Sequence, residues 1–381
     1  MAKGNFIEYV VSDNPNKYPN DGEQGGYWYE LYGKPPKIYG VSWDGTSTTT
    51  WTRTDESASF ADPVPYISGA SSYSSPFDNC SPWKDMQIVD DATAGKLVSI
   101  PKYYYKWTKT GNTMKLQIAD GPVDGFYVSP AHADRGDGKG ERDVVYVGRY
   151  HCNSSYKSAA GSTPLGNMTR ATARTSIHNL GSTYWQYDFA MYWTICMLYL
   201  VEFADWNSQT KIGHGCSTSN NFMSMGYTDS MPYHTGTTAS ARTSYGGTQY
   251  RNIEGLWDNV LDWCDGIYFS DANVYCIKNP SSFSDSSGGT HIGTRPTSSD
   301  WIKSWNVPTA SGFEYALYPA SAGGSDSTYT PDYCDYNSSG VVLYLGGSYF
   351  QYTSYGLFYL DGNYAASYKS GNIGCRLQKL P

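Results

Sequence analysis

The chain has 381 residues, enough for one large domain or several smaller ones with a real buried core. Only 16% of them are charged, against about 25% in an average soluble domain. The net charge of −8, with no Lys/Arg cluster to interrupt the acidity, excludes nucleic acid as the partner, because phosphate binding needs a basic surface.

In chain order, residues 1–36 read as a small β-rich N-terminal module: one short strand, a Pro/Asn/Asp/Gly turn, then an alternating aromatic strand, with Pro35-Pro36 as linker. No apolar run of signal-peptide length opens the chain, so no signal peptide and no secretion are expected. A β-rich lead-in, 37–95, contains the strands "IYGVSWDG" and "TWTRTD". The main domain, 96–381, begins with the hairpin "KLVSIPKYYYKWTKTGNTMKLQIAD", turning at Thr110-Gly111-Asn112, followed by strands at "DGFYVSPAH" and "DVVYVGRYHC".

Two helices come next. "NMTRATARTSIHNLG" has Asn167 or Thr169 as cap and Gly181 as stop. "STYWQYDFAMYWTICMLYLVEFADWN" has Ser182 or Thr183 as cap. Its apolar run, Phe189–Val201, is flanked by Asp188 and Glu202. It is too short to span a bilayer, so a buried helix against sheet is expected and no membrane insertion. After Asn207 no helix is predicted; strands are expected at "IEGLWDNVLDWCDGIYF", "NVYCIKN", "GFEYALYP" and the closing segment. The expected fold class is α+β, two helices with a mixed, irregular β-sheet, in which the chain ends can share a sheet.

Catalytic chemistry finds little support. The eight cysteines form no C-x-x-C pair and read as free, buried thiols. His214 and Cys216 in "GHGC" are the sole hint of metal spacing, and "DRGDGKGERD" fits no calcium loop. No nucleophile elbow, zinc motif or phosphate loop is present. No enzyme, metal or cofactor is therefore expected.

The closing stretch "LYLGGSYFQYTSYGLFYLDGNYAASYKSGNIGCRL" sets seven tyrosines among Gly, Ser, Thr and Asn. Its glycines argue against a helix. Leu343, Leu345, Leu357, Phe358, Leu360, Ile373 and Leu377 read as inward positions, leaving tyrosines and small polar residues outward, the composition of an antibody-like binding surface. Trp257, Val260, Leu261 and Trp263 read as the rigid floor beneath; Asp258, Asp262 and Asp265 read either as support behind the site or as solvated, with the solvated reading preferred.

Together with "VSIPKYYYKW", "DGFYVSPAH", "VVYVGRYHC", "TARTSIHNLG" and "YRNIEGLWDNVLDWCDGIYF", this ending resembles phage and prophage tail proteins with a C-type-lectin-like fold of the formylglycine-generating-enzyme branch. More narrowly, it is similar to the variable proteins of diversity-generating retroelements, the group that includes phage tropism determinants. In that group a G-G motif opens the variable segment and a G-x-R motif closes it; here these are Gly346-Gly347 and Gly374-Cys375-Arg376, bounding a variable segment of about 346–374. The resemblance implies a virion tail protein, made in the bacterial cytoplasm, that binds a bacterial surface protein or glycan, contacts tail or baseplate proteins and forms a homo-oligomer, a trimer by analogy. It implies ligand-binding positions at Ser348, Tyr349, Phe350, Tyr352, Ser354, Tyr355, Tyr359, Asp361, Asn363, Tyr364, Tyr368 and Ser370, all reachable by adenine-directed change of Asn codons. Gly346, Gly347, Trp257, Trp263, Gly374 and Arg376 would be the scaffold. The E-P-N and W-N-D motifs of calcium-dependent lectins are absent. Two other readings use the same scaffold: an enzyme, either a cysteine/copper oxidase or a tail glycan depolymerase, and a bacterial surface-display protein.

Overall fold

The computed structural model describes residues 35–215, 221–350 and 354–381. The expected N-terminal module, all but its last two residues, lies outside them. The fold is α+β, with three helices among the described residues, α1 (Arg170–His178), α2 (Phe189–Phe203) and α3 (Ser208–Lys211), and many short strands. No helix among the described residues is long and apolar enough to cross a membrane.

All fifteen residues of α2 are buried. A helix apolar on every face must be enclosed, and the sheets around it do this. It starts later than the sequence suggested. Asp188, not Ser182 or Thr183, is its cap, accepting the Met191 amide at 2.8 Å, while Tyr184–Gln186 is a strand. The aromatic residues there take the pleated conformation offered by the neighbouring strand. Helix α2 ends at Ala204 in left-handed geometry (φ 50°). Thr169 caps α1; Asn167 sits outside it with φ 63°. Helix α3 is a single turn that the composition did not suggest, capped by Asn207.

The first sheet runs Thr52–Asp55, Ile38–Trp43, Thr113–Ala119, Tyr104–Thr110, Tyr127–Val128, all antiparallel. Its central hairpin turns through Gly111-Asn112, with Thr110 opposite Thr113. Tyr105, Trp107, Met114, Leu116 and Ile118 alternate inward. A second sheet has the order Gln87–Asp91, Gly95–Pro101, Val144–Gly148, Leu377–Lys379, Tyr184–Gln186, so the last strand of the chain is inserted between strands of the first half. The boundary expected at 95/96 falls inside the hairpin of Gln87–Asp91 with Gly95–Pro101. Ile38–Trp43 of the lead-in also pairs with Thr113–Ala119, and one hydrophobic core runs from Tyr39 to Leu380. The lead-in and the main domain are one folded unit.

A third, seven-stranded sheet carries the closing segment, in the order Tyr318–Ala322, Asp300–Asn306, Tyr333–Tyr336, Leu360–Tyr364, Val342–Leu345, Leu261–Cys264, Ile373–Gly374. Two of its pairings are parallel, Tyr333–Tyr336 with Leu360–Tyr364 and Leu261–Cys264 with Ile373–Gly374. The strand expected at "GFEYALYP" begins only at Tyr318. One face of this sheet, with Leu343, Leu345, Leu360 and Cys264, joins the core around α2. The other face, with Trp263, Val342, Tyr344 and Tyr359, forms a separate cluster under half-buried Tyr333, Tyr355, Tyr364 and Tyr368. This second face is where the candidate site lies.

Candidate functional site

The frame comes first. Gly346 has φ 75°, and a Cβ there would stand 2.3 Å from the Leu256 carbonyl oxygen; at Gly347 it would stand 2.6 Å from that of Trp257. The Gly-Gly pair thus lets the chain leave strand Val342–Leu345 flat against residues 256–257. Gly346→Ala is expected to cost about 1–2 kcal/mol from the left-handed backbone alone, and more from the displaced carbonyl, read as a lowered urea midpoint. Trp257 and Trp263 are buried, their indole N–H groups donating to the carbonyls of Gly213 at 3.0 Å and Met168 at 2.9 Å. At the far end of the segment, a Cβ on Gly374 would stand 2.8 Å from the Leu165 carbonyl.

Arg376 is fully buried. Its Nε donates to Asp262 at 3.0 Å, and its two terminal nitrogens donate to the carbonyls of Gly148, Arg149, Glu254 and Gly255 at 2.8–3.2 Å. Asp258, Asp262 and Asp265, expected to be solvated, are instead buried and partnered. Asp258 accepts the Thr248 amide at 2.7 Å and hydroxyl at 2.6 Å. Asp262 also meets His151 at 3.0 Å, and Asp265 is gripped by Arg174 at 2.5 and 2.8 Å. Each carboxylate offsets its desolvation with hydrogen-bond donors. For Asp262, burial works to raise the pKa, but the charges of His151 and Arg376 outweigh it and hold the group below the usual range.

The expected ligand-binding residues divide. Phe350 is exposed (42%). Tyr349 is half-buried, edge-on to Phe222 at 4.8 Å and to Phe350 at 5.0 Å. Ser354, Tyr355, Asn363, Tyr364, Tyr368 and Ser370 are half-buried. Ser348, Tyr359 and Asp361 are buried, at 1%, 1% and 4% exposure, and so are corrected from outward to structural positions. Tyr359 and Asp361 belong to a polar network on the inner part of the face, where sheet pairing and neighbouring tyrosines cover them. Tyr352 lies outside the described residues.

That network crosses three strands. Asp335 and Asp361 stand opposite each other in the parallel pair, and Tyr344 pairs with Asp361 from the other side. The Tyr359 hydroxyl lies 2.7 Å from Asp335 Oδ2 and 2.9 Å from Asp361 Oδ2, and the Tyr344 hydroxyl also reaches Asp361 Oδ2. These three oxygen–oxygen contacts would take three hydrogens, one each. The two phenols supply two, so either the Tyr359 hydrogen is divided between both carboxylates or one carboxyl group carries a proton of its own. Burial first, then the charge of Asp335, pushes Asp361 up to about 7, and burial raises Asp335 too. Among the described residues no cation pairs with them, unlike Asp188 with Arg135 or Glu202 with Arg251.

Outward of this network an aromatic ladder climbs from the core. Tyr344 meets Trp263 edge-on at 5.5 Å; Tyr364 stacks on Tyr344 at 5.9 Å; Tyr368 stacks on Tyr364 at 3.7 Å and 13°. A register shift between Val342 and Tyr344 is a bulge that re-aims the strand, which brings Tyr364 onto the face that holds Asp361. Beside the ladder lies an open groove of about 540 Å³ walled by Asn337, Ser339, Asn363, Ser367 and the two stacked tyrosines, with Lys369 at its rim.

No family model matches this chain, and no curated protein matches it significantly.

Sequence reasoning missed Asp335, Asn337 and Ser339. The stretch "DYCDYNSSG" has the same Tyr/Asn/Ser composition as the ending, and that was the available signal. Phe222, which supports Tyr349, carried none. Among the described residues no group of three or more His, Cys, Asp or Glu side chains could hold a metal ion; Cys216 lies outside them. Seven cysteines are buried free thiols. Contact with Cys152, then burial, pushes the Cys375 thiol up, which leaves it protonated and a poor nucleophile.

Proposed function

We propose that this chain is a phage or prophage tail protein of C-type-lectin-like fold that attaches to a bacterial surface ligand through the outer face of its seven-stranded sheet. The observation that carries this reading is the separation of two residue sets within one segment. Gly346, Gly347, Gly374 and Arg376 hold the backbone with close carbonyl contacts and buried hydrogen bonds. Tyr349, Phe350, Asn363, Tyr364 and Tyr368 remain half-buried or exposed on that frame. A rigid scaffold presenting changeable side chains is a common arrangement for recognition. Diversification by a retroelement, attachment to the virion through residues 1–36, and trimerisation belong to the same proposal; several weak sites per particle would add through avidity. The fold assignment is supported by the mid-chain helices, the mixed sheet and the return of the last strand to the first half of the chain.

The test is a triple variant, Tyr349→Ser, Phe350→Ser and Tyr368→Ser. It should still unfold in one cooperative urea transition, its midpoint lowered only by the lost ring contacts, about 0.5–1.5 kcal/mol each, while adsorption of the purified chain to host cells should fall at least about tenfold, the worth of 1.4 kcal/mol. Unchanged adsorption would sink the proposal. In the flanking DNA, a near-repeat with Asn codons at these positions beside a reverse transcriptase gene is the expected mark of diversification.

A further inference from the structure

We infer that the ligand is an uncharged oligosaccharide, seated without a metal ion in the groove beside Tyr364 and Tyr368; this rests on the receptor-binding reading and names its chemistry.

Size is the first argument. About 540 Å³ falls within the range of small-molecule sites, about 300–1,000 Å³. A protein partner would instead need a broad patch with a desolvated apolar centre. In the described part of the closing segment, the only large hydrophobic side chain strongly exposed is Phe350, which does not line this groove.

The walls give the second. The groove is lined by amides, hydroxyls and phenol rings, with a single charge, Lys369. Ser339 holds Asn337 Oδ1 through its amide at 3.0 Å and its hydroxyl at 2.8 Å, which fixes the plane of the Asn337 amide and leaves its NH₂ group to donate. An Asn side chain offers a donor and an acceptor side by side, matched to a pair of neighbouring sugar hydroxyls. Asn363 supplies a second such amide across the groove.

The third is the ladder. Tyr364 lies between Tyr344 and Tyr368. Tyr368 ends the stack, and its far face has no ring partner among the described residues. The C–H face of a pyranose packs on such a ring. Because the stack is anchored at buried Trp263, Tyr368 is held in place before binding, and little rotamer entropy remains to be lost.

Charge supplies the fourth. Asp335 and Asp361 lie behind the ladder with no ion-pair partner among the described residues, and the chain carries −8 overall. The buried, phenol-capped carboxyl groups do not reach a cationic glycan, and an acidic one would find only Lys369 to offset the chain's net negative charge. With no three-donor metal set among the described residues, binding should survive chelation.

The experiment uses the full chain and two probes: short neutral oligosaccharides in isothermal titration with EDTA present, and host cells treated with periodate or with protease. The expected result is saccharide binding in EDTA, weakened at least tenfold by Tyr368→Ala and by Asn363→Ala but kept by Tyr368→Phe, together with cell adsorption lost to periodate and not to protease. Adsorption lost to protease and resistant to periodate would overturn the oligosaccharide while leaving the receptor-binding reading intact. Saccharide binding indifferent to Tyr368→Ala would overturn the groove. Loss of binding in EDTA would overturn the metal-free site. Absence of adsorption to untreated cells would bring down the receptor-binding reading itself.

Discussion

Arg376→Met should destabilise the chain by about 3–5 kcal/mol, the usual cost of removing one partner from a buried ion pair. Methionine fills much of the arginine's volume, so the loss is mainly electrostatic. Asp262 would remain buried with only His151 beside it, and four carbonyl oxygens from residues 148–149 and 254–255 would lose a charged donor. Those carbonyls belong to separate stretches of chain, and Arg376 precedes the strand Leu377–Lys379 that closes the second sheet. One side chain therefore ties the end of the proposed variable segment to both halves of the fold. Arg376→Lys should recover only a fraction, because an ammonium lacks the planar fork that serves Asp262 and several carbonyls together. Replacing both members of the pair, Arg376→Met with Asp262→Leu, should cost less than the two single changes added, since no unpaired charge remains. Urea unfolding of the three variants against the parent measures this; a loss under about 1 kcal/mol for Arg376→Met would remove Arg376 from the frame.

The residues that sequence reading placed well are those whose role is set locally. An apolar run flanked by Asp188 and Glu202 has to be an enclosed helix, and α2 is one. Thr110-Gly111-Asn112 between alternating arms has to turn, and it does. Gly346-Gly347 and Arg376 stood out through a motif, and their close backbone contacts explain why those residue types occupy those places. The misplaced residues depend on distant partners. Asp258, Asp262 and Asp265 look like surface acids until Thr248, Arg376 and Arg174 fold over them. Tyr359 and Asp361 share the composition of their outward neighbours, and only the pairing of Leu360–Tyr364 between Tyr333–Tyr336 and Val342–Leu345 turns them inward. The start of α2 was misjudged because Tyr184–Gln186 suits helix or strand, and the returning C-terminal strand decides between them.

The raised pKa values of Asp335 and Asp361 make stability depend on pH in a direction opposite to the common one. A carboxyl group whose pKa is raised on folding binds its proton more tightly in the native state, so stability falls as pH rises from its unfolded value, about 4, through its folded one. Asp361 is pushed up to about 7 by burial and by Asp335. Asp332, buried with only the amides of Gly356 and Phe358 as donors, and Glu254, also chiefly through burial, rise to about 7 as well. Asp78 and Asp91, held near 2 by hydrogen bonds that outweigh their burial, act in the other sense and lose their contribution only below about pH 4. The chain should therefore be most stable near pH 5 and less so at pH 8, by at least about 1.4 kcal/mol, the worth of one pH unit for one group. Asp361→Asn is the decisive variant. With its NH₂ group in the place of Oδ2, the amide can donate to both phenol oxygens while its carbonyl keeps the Asn363 amide; Tyr344 gives up its acceptor, and no charge remains to be lost. It should flatten that group's share of the slope and leave the variant more stable than the parent at pH 8, as thermal unfolding across pH 4.5–8.5 would show. An unchanged slope would place the proton elsewhere. The same pair should govern the groove. Once both carboxylates ionise, like charges face each other across strands Tyr333–Tyr336 and Leu360–Tyr364. Those strands carry Asn337 and Asn363 at their ends, so ligand binding should weaken above about pH 7 in the parent and not in Asp361→Asn.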